Sequence, residues 1–222
     1  MSGVVYSAVL FDLDGTLIDS APDLAGAAND MRLARGLAVK PYEQLRPMVG
    51  SGARGMLGAA FGVKPDDAEF EAMKHEFLDL YESRMTRLTH VFELVKPVLD
   101  HLDQRGIAWG IVTNKAARFA KPLVAAMQLH SRAATLVAGD STPHSKPHPE
   151  PLFEAARRIG RAPEACLYVG DDLRDVQAGH AARMGTAAAA WGYLGQGDAI
   201  DVWGADHLFH TPADLLKLPG MA

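Results

Sequence analysis

Short apolar runs alternate with helical patterns from about residue 96 onward, and this alternation constrains the fold more than any other feature. Strands that alternate with helices in this way form parallel sheets, because a parallel connection needs a long crossover. The predicted strands are 4–11, 108–113, 135–138, 166–170 and 186–190, with a short one at 207–209. The predicted helices between them are 96–104, 116–127, 149–159 and 172–182.

The stretch between the first predicted strand and residue 96 differs, because it shows helical periodicity and no convincing strand. The helical patterns there are 22–35, 52–61 and 66–87. An all-helical insertion at this place can close over a site as a lid. We therefore expect an α/β protein: a Rossmann-like, doubly wound parallel sheet core (residues 1–17 and 95–222) with a small all-helical cap domain (18–94) inserted after the first strand.

Composition excludes several classes of protein. The chain has 222 residues, of which 48% are hydrophobic, and a net charge of -5 with no basic run, so we expect no nucleic-acid partner. No apolar stretch approaches the ~20 residues that span a bilayer, and the start lacks the pattern of a signal peptide, which predicts a cytoplasmic protein without a membrane role. The single cysteine, Cys166, falls in a predicted strand and is interpreted as a core residue.

Two carboxylates follow the first predicted strand directly, in Asp12-Leu13-Asp14-Gly15-Thr16. Asp12 and Asp14 are two positions apart, so they point to the same side while the strand period persists. Like charges that close repel each other, unless a divalent cation lies between them or one carboxyl is protonated. A solvated turn is the alternative, but the carboxyl ends of parallel strands are where such sheets bind ligands.

Polar groups recur at two later positions of the same kind. Thr113 and Asn114 follow the second predicted strand and are suited to bind phosphate oxygens, although either one is also a good helix cap. Lys146 lies in a loop stiffened by prolines at 147, 149 and 151, which favours a fixed cation over the usual mobile surface lysine.

A further acidic group follows the strand predicted at 166–170. Asp171, Asp172 and Asp175 lie at the end of this strand and at the start of the next helix. One acidic residue is common at a helix N-terminus, where it needs no special explanation. Three of them, added to the acidic turn after the first strand, indicate a cation site.

These segments, taken in order, resemble the four motifs of the haloacid dehalogenase superfamily of phosphatases. The matching positions are Asp12 to Thr16, Thr113, Lys146 and Gly170 to Asp172, and the helical insertion resembles the small cap of that superfamily. Residues 19–23, 112–115 and 145–152 are similar to the phosphoglycolate phosphatase family. Residues 51–54, 118–122, 170–175 and 203–206 resemble the branch that dephosphorylates N-acetylmuramic acid 6-phosphate.

The resemblance implies a magnesium-dependent phosphomonoesterase that acts through an aspartyl-phosphate. Asp12 would be the nucleophile and Asp14 the general acid and base. Mg²⁺ would be held by Asp12, by Asp14 through its backbone carbonyl, and by Asp171.

The remaining matched residues would support this chemistry. Thr113 and Asn114 would bind phosphoryl oxygens, and Lys146 would neutralise charge on the nucleophile and the phosphoryl group. Asp172 and Asp175 would orient the metal's waters or Lys146 from a second layer around the site.

The substrate is less constrained than the reaction. Arg54 follows a glycine-rich stretch and can clamp a substrate carboxylate, or it is simply solvated at a helix start. Phosphoglycolate and N-acetylmuramic acid 6-phosphate both have a carboxylate, so Arg54 does not separate them. We expect the substrate to be a small phosphorylated organic acid such as 2-phosphoglycolate, with N-acetylmuramic acid 6-phosphate as the alternative. We expect the protein to be a monomer or a homodimer.

Two other classes of function compete with the phosphatase: a phosphosugar mutase and a non-catalytic binding module. The presence of Asp12, Asp14 and Lys146 disfavours the binding module.

Overall fold

The computed structural model describes residues 5–221 and contains a six-stranded parallel sheet. The strands are β1 (Ala8–Phe11), β4 (Ala108–Val112), β5 (Leu136–Val137), β6 (Cys166–Gly170), β7 (Gly185–Ala189) and β8 (His207–Phe209). Their order in the sheet is β5-β4-β1-β6-β7-β8, with all pairs parallel. The predicted parallel sheet is thus confirmed.

The first strand is shorter than the sequence predicts. The prediction starts at Val4, which lies outside the described residues, whereas β1 begins at Ala8. Val5 is 64% exposed, so this apolar residue lies outside the sheet. The apolar run therefore overstates the strand, because apolar residues are not confined to the interior of a protein.

Side chains of the central strand β1 alternate between two apolar clusters. Val9 and Phe11 belong to the cluster on one face, and Ala8 and Leu10 belong to the cluster on the other. Both faces are covered by helices, which is the doubly wound arrangement. The helices that follow the insertion are α5 (Lys96–Gln104), α6 (Ala117–Ala126), α7 (Glu150–Arg158) and α8 (Leu173–Ala181).

Four helices fall in the segment predicted as the insertion. They are α1 (Ala21–Ala34), α2 (Tyr42–Leu45), α3 (Gly52–Phe61) and α4 (Phe70–Glu82). The helix predicted at 66–87 is thus too long at both ends.

The expectation of no strand in this segment is also wrong, because β2 (Ile18–Asp19) and β3 (His90–Val91) pair antiparallel where the segment begins and ends. Such two-residue strands are too short to produce a periodic pattern. The domain boundaries at 18 and 94 stay a prediction.

The order of the strands determines where a site can form. From β1 the chain adds β4 and then β5 on one side, and only afterwards β6, β7 and β8 on the other. Loops that leave the carboxyl ends of β1 and β6 therefore diverge and leave a crevice at this switch point. Within residues 5–221, no helix has the length and apolar character needed to cross a membrane.

Candidate active site

Three carboxylates meet at the switch point. Asp12 follows β1, Asp171 follows β6 and Asp175 lies in the first turn of α8, and one oxygen of each lies within 4.8 Å of the other two. Burial raises the pKa of Asp12 to about 7, while Lys146 lowers it and Asp175 raises it. Burial, followed by the charges of Asp12 and Asp175, raises the pKa of Asp171 well above its usual value. Buried carboxylates that repel one another fit a hard divalent cation, whose preferred ligands are carboxylate oxygens.

Asp171 is held rigidly by groups from distant parts of the chain. Its Oδ1 accepts a hydrogen bond from Thr16 Oγ1 (2.9 Å) and its Oδ2 accepts one from Tyr193 N (2.7 Å). Gly15 has a φ of +89°, and a Cβ atom there would lie 2.2 Å from Asp171 Oδ2. Only glycine therefore allows the acidic turn to approach this carboxylate so closely.

Lys146 is a buried cation of the site. Its Nζ donates to Asp12 Oδ1, Asp175 Oδ1 and Tyr168 Oη, each at 2.7 Å. Burial lowers the pKa of Lys146, but Asp12 and Asp175 outweigh this effect and raise it above the ordinary value. Tyr168 in turn donates to the Val112 carbonyl at 2.9 Å, so the network ends on the backbone of β4. The ammonium is charged and fixed beside Asp12.

Asn114 holds the backbone of Lys146. Its Nδ2 donates to the Lys146 carbonyl and its Oδ1 accepts from the Lys146 amide, both at 2.9 Å. Both ends of this side-chain amide are thereby occupied, and its predicted contact with phosphate stays a prediction. Thr113 is buried beside it and lines the same cavity, where its hydroxyl accepts from Lys115 N at 3.1 Å. Within residues 5–221, the Thr113 hydroxyl donates no hydrogen bond.

The carboxylate of Asp14 lies outside the group of three. Its Oδ1 accepts from Lys115 Nζ at 2.9 Å and also from Ser20 Oγ. The chain leaves the sheet after Phe11, so the strand period of two does not extend through Asp14, although both carboxylates line the same cavity. Burial lowers the pKa of Lys115, but Asp14 reverses this effect and raises it. Asp14 is therefore held next to a permanent cation.

Asp172 and Asp175 cap α8 together. The Asp172 side chain accepts from Arg174 N, and Asp175 Oδ2 accepts from Asp172 N, which forms a capping box. The Asp172 carboxylate also pairs with the Arg174 guanidinium through Nε (2.8 Å) and Nη2 (2.7 Å). Arg174 Nη2 reaches further to the Gly50 carbonyl at 2.5 Å. Asp172 thus orients an arginine that contacts the helical segment.

A cavity of about 380 Å³ opens above these groups. Its sheet side includes Asp12, Asp14, Thr113, Asn114, Lys146, Asp171, Asp172 and Asp175. Its other side includes Leu24, Val49, Phe77, Leu78 and Tyr81 from the helical segment. Arg54 is exposed on α3 and is not among the lining residues, so its predicted clamp on a carboxylate stays a prediction without a contact in the cavity.

Several side chains of the site have no role in the sequence-based prediction, among them Tyr168, Lys115 and Tyr193. A buried tyrosine such as Tyr168 needs a hydrogen-bond partner, which is a usable signal in a strand pattern. Lys115 follows Thr113 and Asn114 after β4, so its position near the site could also be predicted from the sequence. Tyr193 gives no such signal, because its contacts are made more than 170 residues away in sequence.

Comparison with known proteins gives matches along nearly the whole chain. A sequence profile described as haloacid dehalogenase-like hydrolase matches residues 9–189. An N-acetylmuramic acid 6-phosphate phosphatase from Pseudomonas aeruginosa is 40% identical over 218 residues, covering 98% of this chain and 96% of the relative. A phosphoglycolate phosphatase from Xanthomonas campestris pv. campestris is 46% identical over 209 residues, covering 94% of each. The crystal structure of a predicted phosphoglycolate phosphatase from Haemophilus somnus 129pt has a TM-score of 0.83 at 28% identity, covering 96% of this chain and 97% of that one.

Proposed function

The chain belongs to the haloacid dehalogenase-like hydrolase family and is a phosphatase, and we propose that it is a Mg²⁺-dependent phosphomonoesterase for a small phosphorylated organic acid such as 2-phosphoglycolate. One observation supports this best: Asp12 lies buried at the switch point, 2.7 Å from the Lys146 ammonium and grouped with two further carboxylates. A nucleophile, a fixed cation and a metal-binding group are the parts that phosphoryl transfer needs.

The proposed reaction has two halves. In the first, a carboxylate oxygen of Asp12 attacks phosphorus, the bond from phosphorus to the alcohol oxygen breaks, and Asp14 donates a proton to that oxygen. In the second, Asp14 takes a proton from water, and the water oxygen attacks phosphorus and displaces Asp12. Inorganic phosphate leaves and both carboxyl groups return to their starting states.

The supporting residues fix charges around the phosphoryl group. Asp12, the backbone carbonyl of Asp14 and Asp171 would hold Mg²⁺, which offsets repulsion between the nucleophile and the dianionic substrate when it is bound. Asp175 orients Lys146, because one of its oxygens accepts from Lys146 Nζ and the other from Asp172 N. Thr113 donates its hydroxyl to a phosphoryl oxygen.

We propose that residues 18–94 act as the cap of this site. The segment supplies one side of the cavity, and Arg174 of the core contacts its Gly50 carbonyl. A cap that covers the site excludes water from the reacting groups, which strengthens their electrostatic interactions. The β2 and β3 pair joins its two connections to the core.

The experiment compares phosphate release from 2-phosphoglycolate by the wild type and by Asp12→Asn, with Mg²⁺ and after its removal with a chelator. We expect the variant to lose about three orders of magnitude or more in kcat, because an amide is neither a nucleophile nor an anionic ligand. Chelation is expected to abolish turnover, and added Mg²⁺ to restore it. Substantial activity in Asp12→Asn would reject the covalent mechanism. Conversion of a sugar phosphate to an isomer without net phosphate release would indicate a mutase instead.

A second candidate substrate, N-acetylmuramic acid 6-phosphate, is favoured by the size and lining of the cavity. The cavity volume of about 380 Å³ exceeds the volume of a molecule as small as 2-phosphoglycolate. The side chains of Phe77, Tyr81 and Phe119 line the cavity and offer apolar surface to a sugar ring. The matched relative from Pseudomonas aeruginosa is described as acting on this compound. Catalytic efficiency with the two substrates, measured on one preparation, decides between them.

A further inference from the structure

The hydroxyl of Tyr81 makes no hydrogen bond of ordinary geometry within residues 5–221, and Lys115 is the polar group that approaches it. Tyr81 belongs to α4 and is 1% exposed, so its hydroxyl is shielded from water as well as unpaired. Leaving a buried hydroxyl unpaired is unfavourable, and the exceptions in folded proteins call for an explanation. Tyr81 also lines the cavity, so a bound molecule is an available partner.

Lys115 offers unused donors at the same place. Its side chain is 10% exposed, and its Nζ lies 4.9 Å from the centre of the Tyr81 ring. In the described part of the chain, the bond to Asp14 is the one hydrogen bond of this ammonium, which has three N–H groups. Donors of a largely buried ammonium that find no acceptor in the protein are suited to an acceptor on a ligand.

The position of Lys115 and Tyr81 relative to Asp14 indicates which part of a substrate they would contact. The inference rests on the proposed function, in which Asp14 protonates the ester oxygen of the leaving alcohol. Lys115 Nζ is 2.9 Å from Asp14 Oδ1, so in that mechanism it would meet the part of the substrate on the side of the leaving alcohol. Lys146, at the other end of the reacting bond, is committed to Asp12 and Asp175.

We propose that Lys115 Nζ and Tyr81 Oη form the binding site for a carboxylate located next to the phosphoester carbon of the substrate. A carboxylate has enough lone pairs to accept from the ammonium and the phenol together. The pairing takes place away from water, where hydrogen bonds to a charged group are strongest. Arg54, by contrast, is exposed and does not line the cavity.

The test uses two substrates that differ only at the proposed contact: 2-phosphoglycolate and ethyl phosphate, which has a methyl group in place of the carboxylate. The measured quantity is the selectivity, the ratio of kcat/KM for the first substrate to that for the second. We expect Lys115→Met to lower the selectivity roughly 30-fold and Tyr81→Phe roughly 5-fold, since the ammonium meets the carboxylate as a charged donor and the phenol as a neutral one. Lys115→Arg is expected to restore part of the loss.

The matched control is Lys121→Met, which removes the same charge from an exposed position of α6 outside the cavity and is expected to leave the selectivity unchanged. Equal losses with both substrates in Lys115→Met would overturn the proposal, because Lys115 would then only orient Asp14. An unchanged selectivity in both Lys115→Met and Tyr81→Phe would overturn it as well.

Binding measurements test the carboxylate site independently of whether the protein hydrolyses the substrate. Calorimetric affinities of Asp12→Asn for the two compounds need no turnover, and we expect 2-phosphoglycolate to bind more tightly only while Lys115 and Tyr81 are present. If the wild type released no phosphate but the affinity difference depended on Lys115, the proposed function would fail and the carboxylate site would stand. Equal affinities for the two compounds would overturn the carboxylate site whatever the turnover.

Discussion

The sheet side and the helical side of the cavity are built on opposite principles. On the sheet side, the charged groups are tied to one another, as Lys146 shows with its bonds to Asp12, Asp175 and Tyr168. On the helical side the wall is largely apolar, formed by residues such as Leu24 and Phe77, and the buried Tyr81 hydroxyl makes no hydrogen bond among the described residues. The charged groups around Lys146 are thus bonded to one another within the protein, whereas the apolar wall, as far as the chain is described, has no such network.

This difference separates catalysis from selectivity. Charges that are already in place need not reorganise during the reaction, so the sheet side is suited to stabilise a transition state common to all phosphomonoesters. Apolar walls discriminate by shape, and exchanging their side chains changes the cavity without disturbing a network of charges. Substitutions in the charge network around Lys146 should therefore affect all substrates, whereas substitutions of the apolar wall, or of the proposed carboxylate site at Lys115 and Tyr81, should affect only some.

The strongest test of this comparison is Lys146→Met. Removing the ammonium leaves two carboxylates, Asp12 and Asp175, buried without their cation, which is expected to lower the free energy of unfolding by about 3–5 kcal/mol. We expect kcat/KM to fall by about three orders of magnitude for every substrate. Denaturant unfolding and steady-state kinetics measure the two effects.

Lys217→Met is the control for that experiment. Lys217 also pairs with an aspartate, Asp214, but its side chain is 76% exposed, and such pairs contribute at most about 1 kcal/mol. A stability loss in Lys146→Met no larger than in this control would show that the sheet-side network is not the tightly coupled unit described above.

The parts of the site that follow from strand ends were predictable from the sequence. Asp12, Thr113 and Asp171 each stand directly after an apolar run, and parallel strands bring their carboxyl ends to one edge. Lys146 was predicted from the prolines around it. The sheet could be predicted for the same reason, because alternating strands and helices leave few topologies.

Contacts between distant segments were not predictable. The side chain of Asp14 turns to Lys115 and Ser20, because the chain leaves the sheet before reaching it, and no local pattern announces that turn. Arg54 has the expected helical position, but which face of α3 meets the cavity depends on how the helices pack. Such packing depends on the shapes of many side chains together, which a single sequence does not display.

A moderate effect is expected from Leu78→Trp on the helical side. Leu78 is half-buried and lines the cavity, so a larger side chain there narrows the space. We expect kcat/KM for N-acetylmuramic acid 6-phosphate to fall roughly 10-fold or more, while 2-phosphoglycolate is hydrolysed as before. Leu33→Trp, at a 59% exposed position of α1, is the control and should change neither. Equal losses with both substrates would contradict a purely steric wall.

The smallest effect is expected at Tyr193, which connects the two sides. Its hydroxyl accepts hydrogen bonds from Ser20 N (2.8 Å) and Ala21 N (3.1 Å) and donates one to Asp19 Oδ1 (3.0 Å). The Ser20 side chain does not cap α1, so Tyr193 takes this role together with Asp19, and the Ser20 hydroxyl is available to Asp14.

Tyr193→Phe keeps the ring and removes only these contacts. The Ser20 amide loses its acceptor and the Ala21 amide keeps only Asp19 Oδ1 at 3.2 Å, which is expected to cost about 1–2 kcal/mol of unfolding free energy and to speed hydrogen exchange most at Ser20. Tyr6→Phe removes a longer contact of 3.4 Å to His207 and should cost less. Because the Asp171 contact uses the backbone amide of Tyr193, the metal-binding group is expected to stay in place and kcat to fall only a few-fold. A loss of Mg²⁺ affinity in this variant would show that the two sides are coupled more tightly than their separate roles require.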